Sequence, residues 1–331
     1  MTVRKITLFT VLLVGILAAC GCQSREEQKQ QGPPLKISLA LAPFPFSGLI
    51  VIADDQGFFK ESGLEVSIKE YPFGFVTLGV LSRGEAQLAT ANDIVFAQKM
   101  NDDPSLRIVA SIGLTNTNEI VARKDRNIHA PSDLKGKRIG FSPDTTSEYY
   151  LRSFLLINNI PPSEVTAVNI TPARIVEAIV SGEVDAISGW DTTVYDAKKQ
   201  LGENAASWPS QNNQDWHWLL VTRESLTQTP EPIKRFLRAL IKAENFLLAH
   251  EDEAKMIITR KWGFDPEFMR VVWDKTRLNV SLNQSLITSL ENFARWRMNK
   301  EGKGGDPPNF LNFIYTGALD EIDPKAVTIF R

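Results

Sequence analysis

The sequence GEAQLATAND at residues 84–93 aligns without gaps onto GEVDAISGWD at residues 182–191. In each copy a predicted helix ends at Gly-Glu, a short apolar strand follows, and an aspartate (Asp93 or Asp191) stands where the next helix begins. A strand that leads directly into a helix is typical of the units that build parallel sheets. The repeat therefore predicts two similar α/β lobes.

Strand and helix patterns alternate along most of the chain, which predicts parallel sheets with helices on both faces. The predicted strands cover residues 36–42, 64–71, 86–91, 107–113, 119–123, 137–142, 165–170, 185–190 and 218–223. The predicted helices between them cover residues 48–59, 76–83, 145–158, 172–181 and 192–201. After residue 229 the pattern becomes helical, with stretches at 230–250, 253–262, 265–273 and 282–300.

The boundaries of the two lobes are predicted from a second, weaker similarity. Val121-Ala-Arg-Lys124 resembles Val221-Thr-Arg-Glu224, and each stands at the end of a predicted strand. We expect the chain to cross between the lobes near residues 120–124 and 219–223. Lobe one is then built from residues 36–122 and 221–331, and lobe two from residues 123–220.

The N-terminal sequence predicts export from the cytoplasm. Arg4 and Lys5 precede an apolar run at residues 6–19 that is too short to span a bilayer, followed by Cys20. Leu17-Ala-Ala-Cys20 resembles a bacterial lipobox, so we expect a signal peptide at residues 1–19 and a lipid on Cys20; an ordinary secretory signal is the alternative. Residues 20–35 are polar and proline-containing, which predicts a flexible tether on the periplasmic or extracellular face.

Composition argues against several classes of function. Removing residues 1–19 takes away Arg4 and Lys5, which leaves 35 basic and 39 acidic residues, a net charge of −4, so we expect no nucleic acid partner. No cysteine follows Cys22, and the three histidines are far apart, so we expect no metal site and no cofactor. Glycine-rich nucleotide motifs and nucleophile motifs are missing, which argues against an enzyme.

Ligands of open parallel sheets bind beyond the carboxyl ends of the strands. That rule selects six loops, at residues 43–47, 72–75, 92–93, 115–118, 143–147 and 190–193. Asp93 and Asp191 in these loops either contact a ligand or only cap helices. Aromatic residues are frequent near the loops and basic residues are scarce, which favours a small, flat, neutral or cationic nitrogen compound. The aromatic candidates are Phe44, Phe46, Phe73, Phe75, Tyr149, Trp190 and Trp216.

The segment GLIVIADDQGFFKESGLEV at residues 48–66 resembles the A-x-x-x-G-F-F-x-x-x-G-L-x-V opening of solute-binding proteins. The family serves nitrate, sulfonate, taurine and pyrimidine-precursor import systems. Further similarities are DLKGKRIG at 133–140 and IVSGEVDA at 179–186, and together they cover residues 36 to about 250. The cysteine-rich motif of pyrimidine-synthase relatives is missing, which removes that enzymatic option.

The resemblance implies a two-lobed type II periplasmic binding fold, with two hinge crossovers and with the C-terminal helices packed on lobe one. It also implies a monomer that closes on a small nitrogen- or sulfur-containing ligand and delivers it to an ABC permease and its ATPase. The ligand types that the resemblance implies are sulfonate, taurine, nitrate and pyrimidine or thiamine precursors. A ligand sensor for a membrane regulator, or an enzyme on the same scaffold, remain alternatives.

The ligand residues that the resemblance implies stand in the strand-end loops. Asp191 departs from the Glu-Pro that many relatives carry after the tryptophan. The implied residues are Phe44, Ser47, Asn92, Asp93, Thr115, Asn116, Thr145, Thr146, Ser147, Trp190 and Asp191.

Overall fold

A computed structural model describes residues 33–210 and 215–330 of the chain. The predicted signal peptide, Cys20 and most of the predicted tether lie outside the described residues. Residues from Leu35 onward form one unit, which is the part considered below.

The helices and strands follow the predicted alternation. The first elements are β1 (Leu35–Leu41), α1 (Gly48–Asp55), α2 (Phe58–Glu61), β2 (Leu64–Glu70), α3 (Gly74–Ser82), β3 (Leu88–Asn92), α4 (Asp93–Lys99) and β4 (Leu106–Thr115). Next come β5 (Glu119–Arg123), β6 (Arg138–Phe141), α5 (Thr146–Ile157), β7 (Thr166–Asn169), α6 (Ile175–Ser181), β8 (Ala186–Gly189), α7 (Asp191–Leu201) and β9 (Ala205–Pro209). The last are β10 (Trp216–Arg223), α8 (Glu224–Thr227), α9 (Glu231–Ala249), α10 (Glu251–Trp262), α11 (Pro266–Trp273), β11 (Thr276–Arg277), α12 (Gln284–Lys300) and α13 (Gly317–Ile322).

Two separate sheets form the centres of the two lobes. Lobe one has the strand order β11-β4-β10-β3-β1-β2, and lobe two has the order β7-β6-β8-β5-β9. In lobe one β1 is parallel to β2 and β3, whereas β10 is antiparallel to β3 and β4. In lobe two β6 is parallel to β7 and β8, whereas β5 is antiparallel to β8 and β9. The predicted α/β class with two lobes is confirmed.

The predicted crossing points at residues 120–124 and 219–223 were wrong by a few residues. β5 pairs within the sheet of lobe two, so the chain crosses at residues 116–118, before this strand. β10 pairs within the sheet of lobe one, so the return lies between Pro209 and Trp216. The prediction failed because the similar sequences mark the ends of two strands that have already joined their new sheets. Residues 119–122 therefore pair with lobe two, and residues 216–220 with lobe one.

One predicted helix is interrupted and two strands were not predicted. The helix expected at residues 48–59 divides into α1 and α2 because Gly57 has a φ of +74°, a left-handed conformation that favours glycine. β11 has only two residues, and β9 (AASWP) contains no Val, Ile, Leu or Phe. They join the sheets as edge strands through backbone hydrogen bonds.

In each lobe, helices pack their buried faces against the central sheet and against one another. In lobe one α9 packs on α1 and buries Ile233, Phe236 and Leu240 completely. In lobe two α5 buries Leu151 and Phe154 in a cluster with strand β6. Dense packing of this kind resists deformation, so the loops at the sheet edges are held on rigid elements. Among residues 33–210 and 215–330, no helix is both long and apolar enough to cross a membrane.

Candidate functional site

A cleft opens between the two lobes where strand ends and helix starts of both sheets meet. It encloses about 660 Å³ of empty space, its open mouth included. The lining residues are Phe44, Phe46, Phe73, Gly74, Phe75, Asn92, Val95, Thr115, Thr117, Asn118, Thr145, Thr146, Pro172, Trp190, Trp216, His217 and Trp218.

Aromatic rings form most of the wall on the side of lobe one. Phe44 and Phe46 are stacked with their ring centroids 5.1 Å apart, and Trp218 meets both rings edge-on at 5.5 and 4.7 Å. The Trp218 Nε1–H group donates to Ser47 Oγ at 2.7 Å, and Ser47 donates onward to the Ala42 carbonyl oxygen at 2.9 Å. Ser47 therefore lies behind the wall and orients Trp218.

Neutral polar side chains supply hydrogen-bonding groups on both sides of the cleft. Asn118 Nδ2 donates to the Gly189 carbonyl oxygen at 3.1 Å and to Thr146 Oγ1 at 3.3 Å. Asn92 Oδ1 accepts from the Val95 N–H group at 3.1 Å and so caps α4. The hinge residue Asn118 thereby connects Thr146 of the cleft wall to the end of strand β8.

The lining carries no formal charge near neutral pH. Among the described residues of the cleft wall, none is Arg, Lys, Asp or Glu. Burial, with a smaller effect of Arg277, lowers the pKa of His217 to about 4, so its imidazole is neutral. His217 is held between Ser111 Oγ at 3.0 Å and Ser285 Oγ at 3.1 Å. The starts of α5 and α7 add a partial positive potential.

Asp93 lies beneath the cleft wall. Its Oδ2 atom accepts from Ser289 Oγ at 2.7 Å and from the His217 N–H group at 3.1 Å, while Oδ1 accepts from Ile94 N–H at 2.9 Å. Burial raises its pKa to about 7, and these hydrogen bonds only partly oppose that effect. In this position Asp93 holds strand β10 and helix α12 next to the wall.

Asp191 lines a different cavity, between α7 and α11 behind the hinge, together with Lys198 and Lys275. It is 3% exposed, its Oδ1 atom accepts from Thr192 N–H at 2.7 Å, and Oδ2 has no hydrogen-bond partner among the described residues. Burial raises its pKa to about 7. Two charged groups across the cavity, Lys198 and Lys275, instead bind Glu119 at 2.7 and 2.8 Å.

The structure brings six of the eleven predicted ligand residues into the cleft wall: Phe44, Asn92, Thr115, Thr145, Thr146 and Trp190. The other five lie outside it. Asn116 donates its N–H group to the Lys275 carbonyl oxygen at 3.1 Å, and Ser147 Oγ donates to the Ser188 carbonyl oxygen at 2.7 Å. Ser47, Asp93 and Asp191 are the other three, of which Ser47 bonds Trp218 and Asp93 bonds His217 behind the wall.

Several wall residues were absent from the predicted ligand set. Phe46, Phe73, Phe75 and Trp216 were predicted only as aromatic residues near the loops, and Thr117 and Asn118 only as part of the loop at residues 115–118. His217 and Trp218 lie in none of the six predicted loops. For Trp216 and Trp218 the sequence contains a pattern that could have predicted their place in the wall. Residues 216 and 218 are both tryptophan at the start of a strand, and period-two spacing places them on one face. No group of three or more His, Cys, Asp or Glu side chains in the described part of the chain is arranged to hold a metal ion.

Comparisons with known proteins agree with the fold and with the predicted resemblance. A family model described as NMT1/THI5 like matches residues 45–254. The chain is 26% identical over 204 residues to the taurine-binding periplasmic protein of Escherichia coli K12, an alignment covering 60% of this chain and 62% of that protein. It is 26% identical over 226 residues to a putative thiamine biosynthesis protein of Haemophilus influenzae, covering 66% and 71%.

A solved structure shares the whole architecture. The alkanesulfonate-binding protein SsuA from Xanthomonas axonopodis pv. citri, bound to MOPS, superimposes with a TM-score of 0.71 at 17% identity. The match covers 86% of this chain and 100% of that chain. At this low identity the likeness concerns the fold alone. It confirms the predicted two-lobed periplasmic binding fold.

The buried carboxyl of Asp191 predicts a pH dependence of stability. The pKa of Asp191 is higher in the folded chain than in the unfolded chain. The contribution of this carboxyl to the free energy of unfolding is therefore complete below about pH 4 and is lost as the pH rises through about 7. We expect Asp191→Asn to reduce the difference in unfolding free energy between pH 5 and pH 8 by on the order of 2 kcal/mol. Urea unfolding at both pH values measures it.

The matched control is Asp306→Asn, because Asp306 is an exposed aspartate of lobe one. Its pH 5 to pH 8 difference should equal that of the unmodified chain. An Asp191→Asn variant with the full difference would contradict the assignment.

Proposed function

Since this chain belongs to the NMT1/THI5 like family, we propose that it is the solute-binding component of an ABC import system. Its ligand is a small, neutral, planar nitrogen heterocycle of the pyrimidine type. The observation that carries the proposal is the cleft between the lobes, which has aromatic walls and neutral polar groups but no charged side chain among its described lining residues.

The absence of a counter-charge among the described wall residues decides the class of ligand. Moving an anion out of water is costly unless a charge or several strong donors replace its hydration. Taurine, for which one relative is named, and MOPS, which is bound to the solved neighbour, both carry a sulfonate. In this cleft a sulfonate would depend on neutral amide and hydroxyl donors and on helix starts, without a cation, so a neutral ring is favoured.

The aromatic residues suit a flat ligand. Trp190 lies on lobe two, whereas Phe44 and Trp218 lie on lobe one, so a ring between the lobes can contact aromatic faces from both sides. Asn92, Asn118 and Thr145 offer both donors and acceptors to ring nitrogens and exocyclic groups. Closure of the lobes around the ring would bury these contacts and remove them from water.

The same proposal includes the location of the protein, its monomeric state and its partners. The chain acts outside the cytoplasm as a monomer, binds without catalysing a reaction, and hands its ligand to a permease that an ATPase drives. Cys20 carries the lipid that holds it near the membrane. The periplasmic relative supports export, and the lobed fold supports capture by closure.

Calorimetric titration with cytosine, thymine, taurine, ethanesulfonate and nitrate tests the ligand class. We expect a pyrimidine to bind and Trp190→Ala to weaken its binding about tenfold or more, because loss of one stacking face removes a substantial part of the contact energy. The control is Trp262→Ala, since Trp262 lies on α10, donates to Glu70 and does not line the cleft. Binding of taurine or ethanesulfonate alone would overturn the neutral-ring assignment, and binding of none would count against the import function.

Fractionation of the expressing bacteria tests the anchor. The full chain should be found in the membrane fraction and should gain the mass of a lipid on Cys20, whereas Cys20→Ser should be released or remain unprocessed. Cys22→Ser is the matched control and should stay with the membrane. An unmodified Cys20 in a soluble chain would show an ordinary secretory signal instead.

A further inference from the structure

We propose that Lys300 is a positioning residue for ligand capture, which pairs across the two lobes with Glu148 and holds the cleft-lining loop at residues 142–146 in its closed position. The proposal rests on the function proposed above, because it assigns a role in closing the ligand cleft. We call Lys300, Glu148, Asp144 and Gln98 the clasp.

The centre of the clasp is an ion pair between the lobes. Lys300 is the last residue of α12 in lobe one, and Glu148 stands in the first turn of α5 in lobe two. Their Nζ and Oε2 atoms are 2.8 Å apart, and Lys300 Nζ also reaches Asp144 Oδ1 at 3.2 Å. The Glu148 side chain is only 2% exposed, whereas that of Lys300 is 37% exposed. Removing Lys300 would therefore leave a buried carboxylate without its cation.

The same carboxylate holds the loop that delivers two threonines to the cleft. Glu148 Oε2 accepts from the Asp144 N–H group at 2.9 Å. Asp144 has a φ of +56°, an uncommon conformation for a residue with a side chain, which needs support from its surroundings. Gln98 on α4 adds a second link between the lobes by donating to the Asp144 carbonyl oxygen at 2.6 Å. Thr145 and Thr146 follow directly and line the cleft.

An aromatic contact beside the clasp links it to the ligand wall. Tyr149 of α5 meets Trp216, Phe293 and Trp296 of lobe one edge-on, with centroid distances of 5.6, 4.9 and 5.4 Å. Trp216 lines the cleft and is stacked on Phe293 at 5.2 Å. Trp216, which is one ring of the ligand wall, is therefore part of the contact between α5 and lobe one.

Opening the lobes on this side must separate all of these groups together. Lys300 would leave Glu148, Gln98 would leave Asp144, and Tyr149 would leave its aromatic neighbours. Burial acts to lower the pKa of Lys300, but its bonds to Glu148 and Asp144 outweigh burial and raise it, so the ammonium stays charged when the clasp is formed. The clasp therefore favours the closed arrangement and places Thr145 and Thr146 against the ligand.

Single-molecule energy transfer on the full chain tests the clasp without requiring a ligand. Cys20→Ser and Cys22→Ser remove the native thiols, and dyes are placed on Leu156→Cys in lobe two and Met256→Cys in lobe one, two side chains that are 79% and 62% exposed. We expect Lys300→Met to lower the ratio of closed to open molecules about tenfold, with folded molecules in both states. The ratio in the unmodified chain should fall with added salt, and that of Lys300→Met should fall less, because the Lys199–Asp265 pair between the lobes remains.

Three further variants distinguish the clasp from a general loss of stability. Lys300→Arg should restore the closed population, and Glu148→Gln combined with Lys300→Met should lower it no further than Lys300→Met alone. Lys303→Met is the matched control, because Lys303 pairs with Glu301 at the exposed end of the same lobe. It should behave as the unmodified chain does.

Repeating the measurement with cytosine separates the two proposals. Faster release of cytosine from Lys300→Met than from the unmodified chain supports both. A changed closed population with no response to cytosine supports the clasp and counts against the proposed ligand class. Unchanged populations and release rates in Lys300→Met, or an unmodified chain that is never closed, would overturn the clasp.

Discussion

The cleft depends on the pairing of one strand, β10, between β3 and β4. The register of these antiparallel ladders places Trp218 opposite Asn92 and Trp216 opposite Thr115. All four residues line the cleft, although they come from three distant parts of the chain. A slip of one residue would turn both tryptophans to the other face of the sheet. The backbone ladder of lobe one therefore builds the ligand wall.

The sequence predicted the parts of the site that follow from parallel strands. Asn92, Thr145 and Trp190 stand where a parallel strand gives way to a helix, and the rule for such sheets places these positions at one edge. The rule did not predict Trp218, because β10 is antiparallel to β3 and the beginning of β10, not its end, lies at the cleft. Asp191 shows another limit: spacing locates a helix start but cannot say which cavity the carboxyl enters.

Charged side chains form ion pairs between the two lobes, whereas the cleft wall is neutral. On one side Lys300 binds Glu148, and on the other Lys199 binds Asp265 at 2.6 Å while Tyr195 donates to the same carboxylate at 2.9 Å. The wall between these contacts holds rings, amides and hydroxyl groups. The neutral wall therefore recognises a ligand by its shape and its hydrogen bonds. The ion pairs add an electrostatic contribution to closure of the lobes, and added salt weakens that contribution.

Native mass spectrometry of the full chain, purified gently from cells grown in rich medium, identifies what occupies the cleft. Small molecules that fit the cleft and bind tightly should remain attached in the gas phase and can be identified after release. We expect a neutral nitrogen heterocycle in equimolar amount with the chain. A sulfonate or another anion in that position would contradict it, because the described lining residues offer no cation to balance the charge.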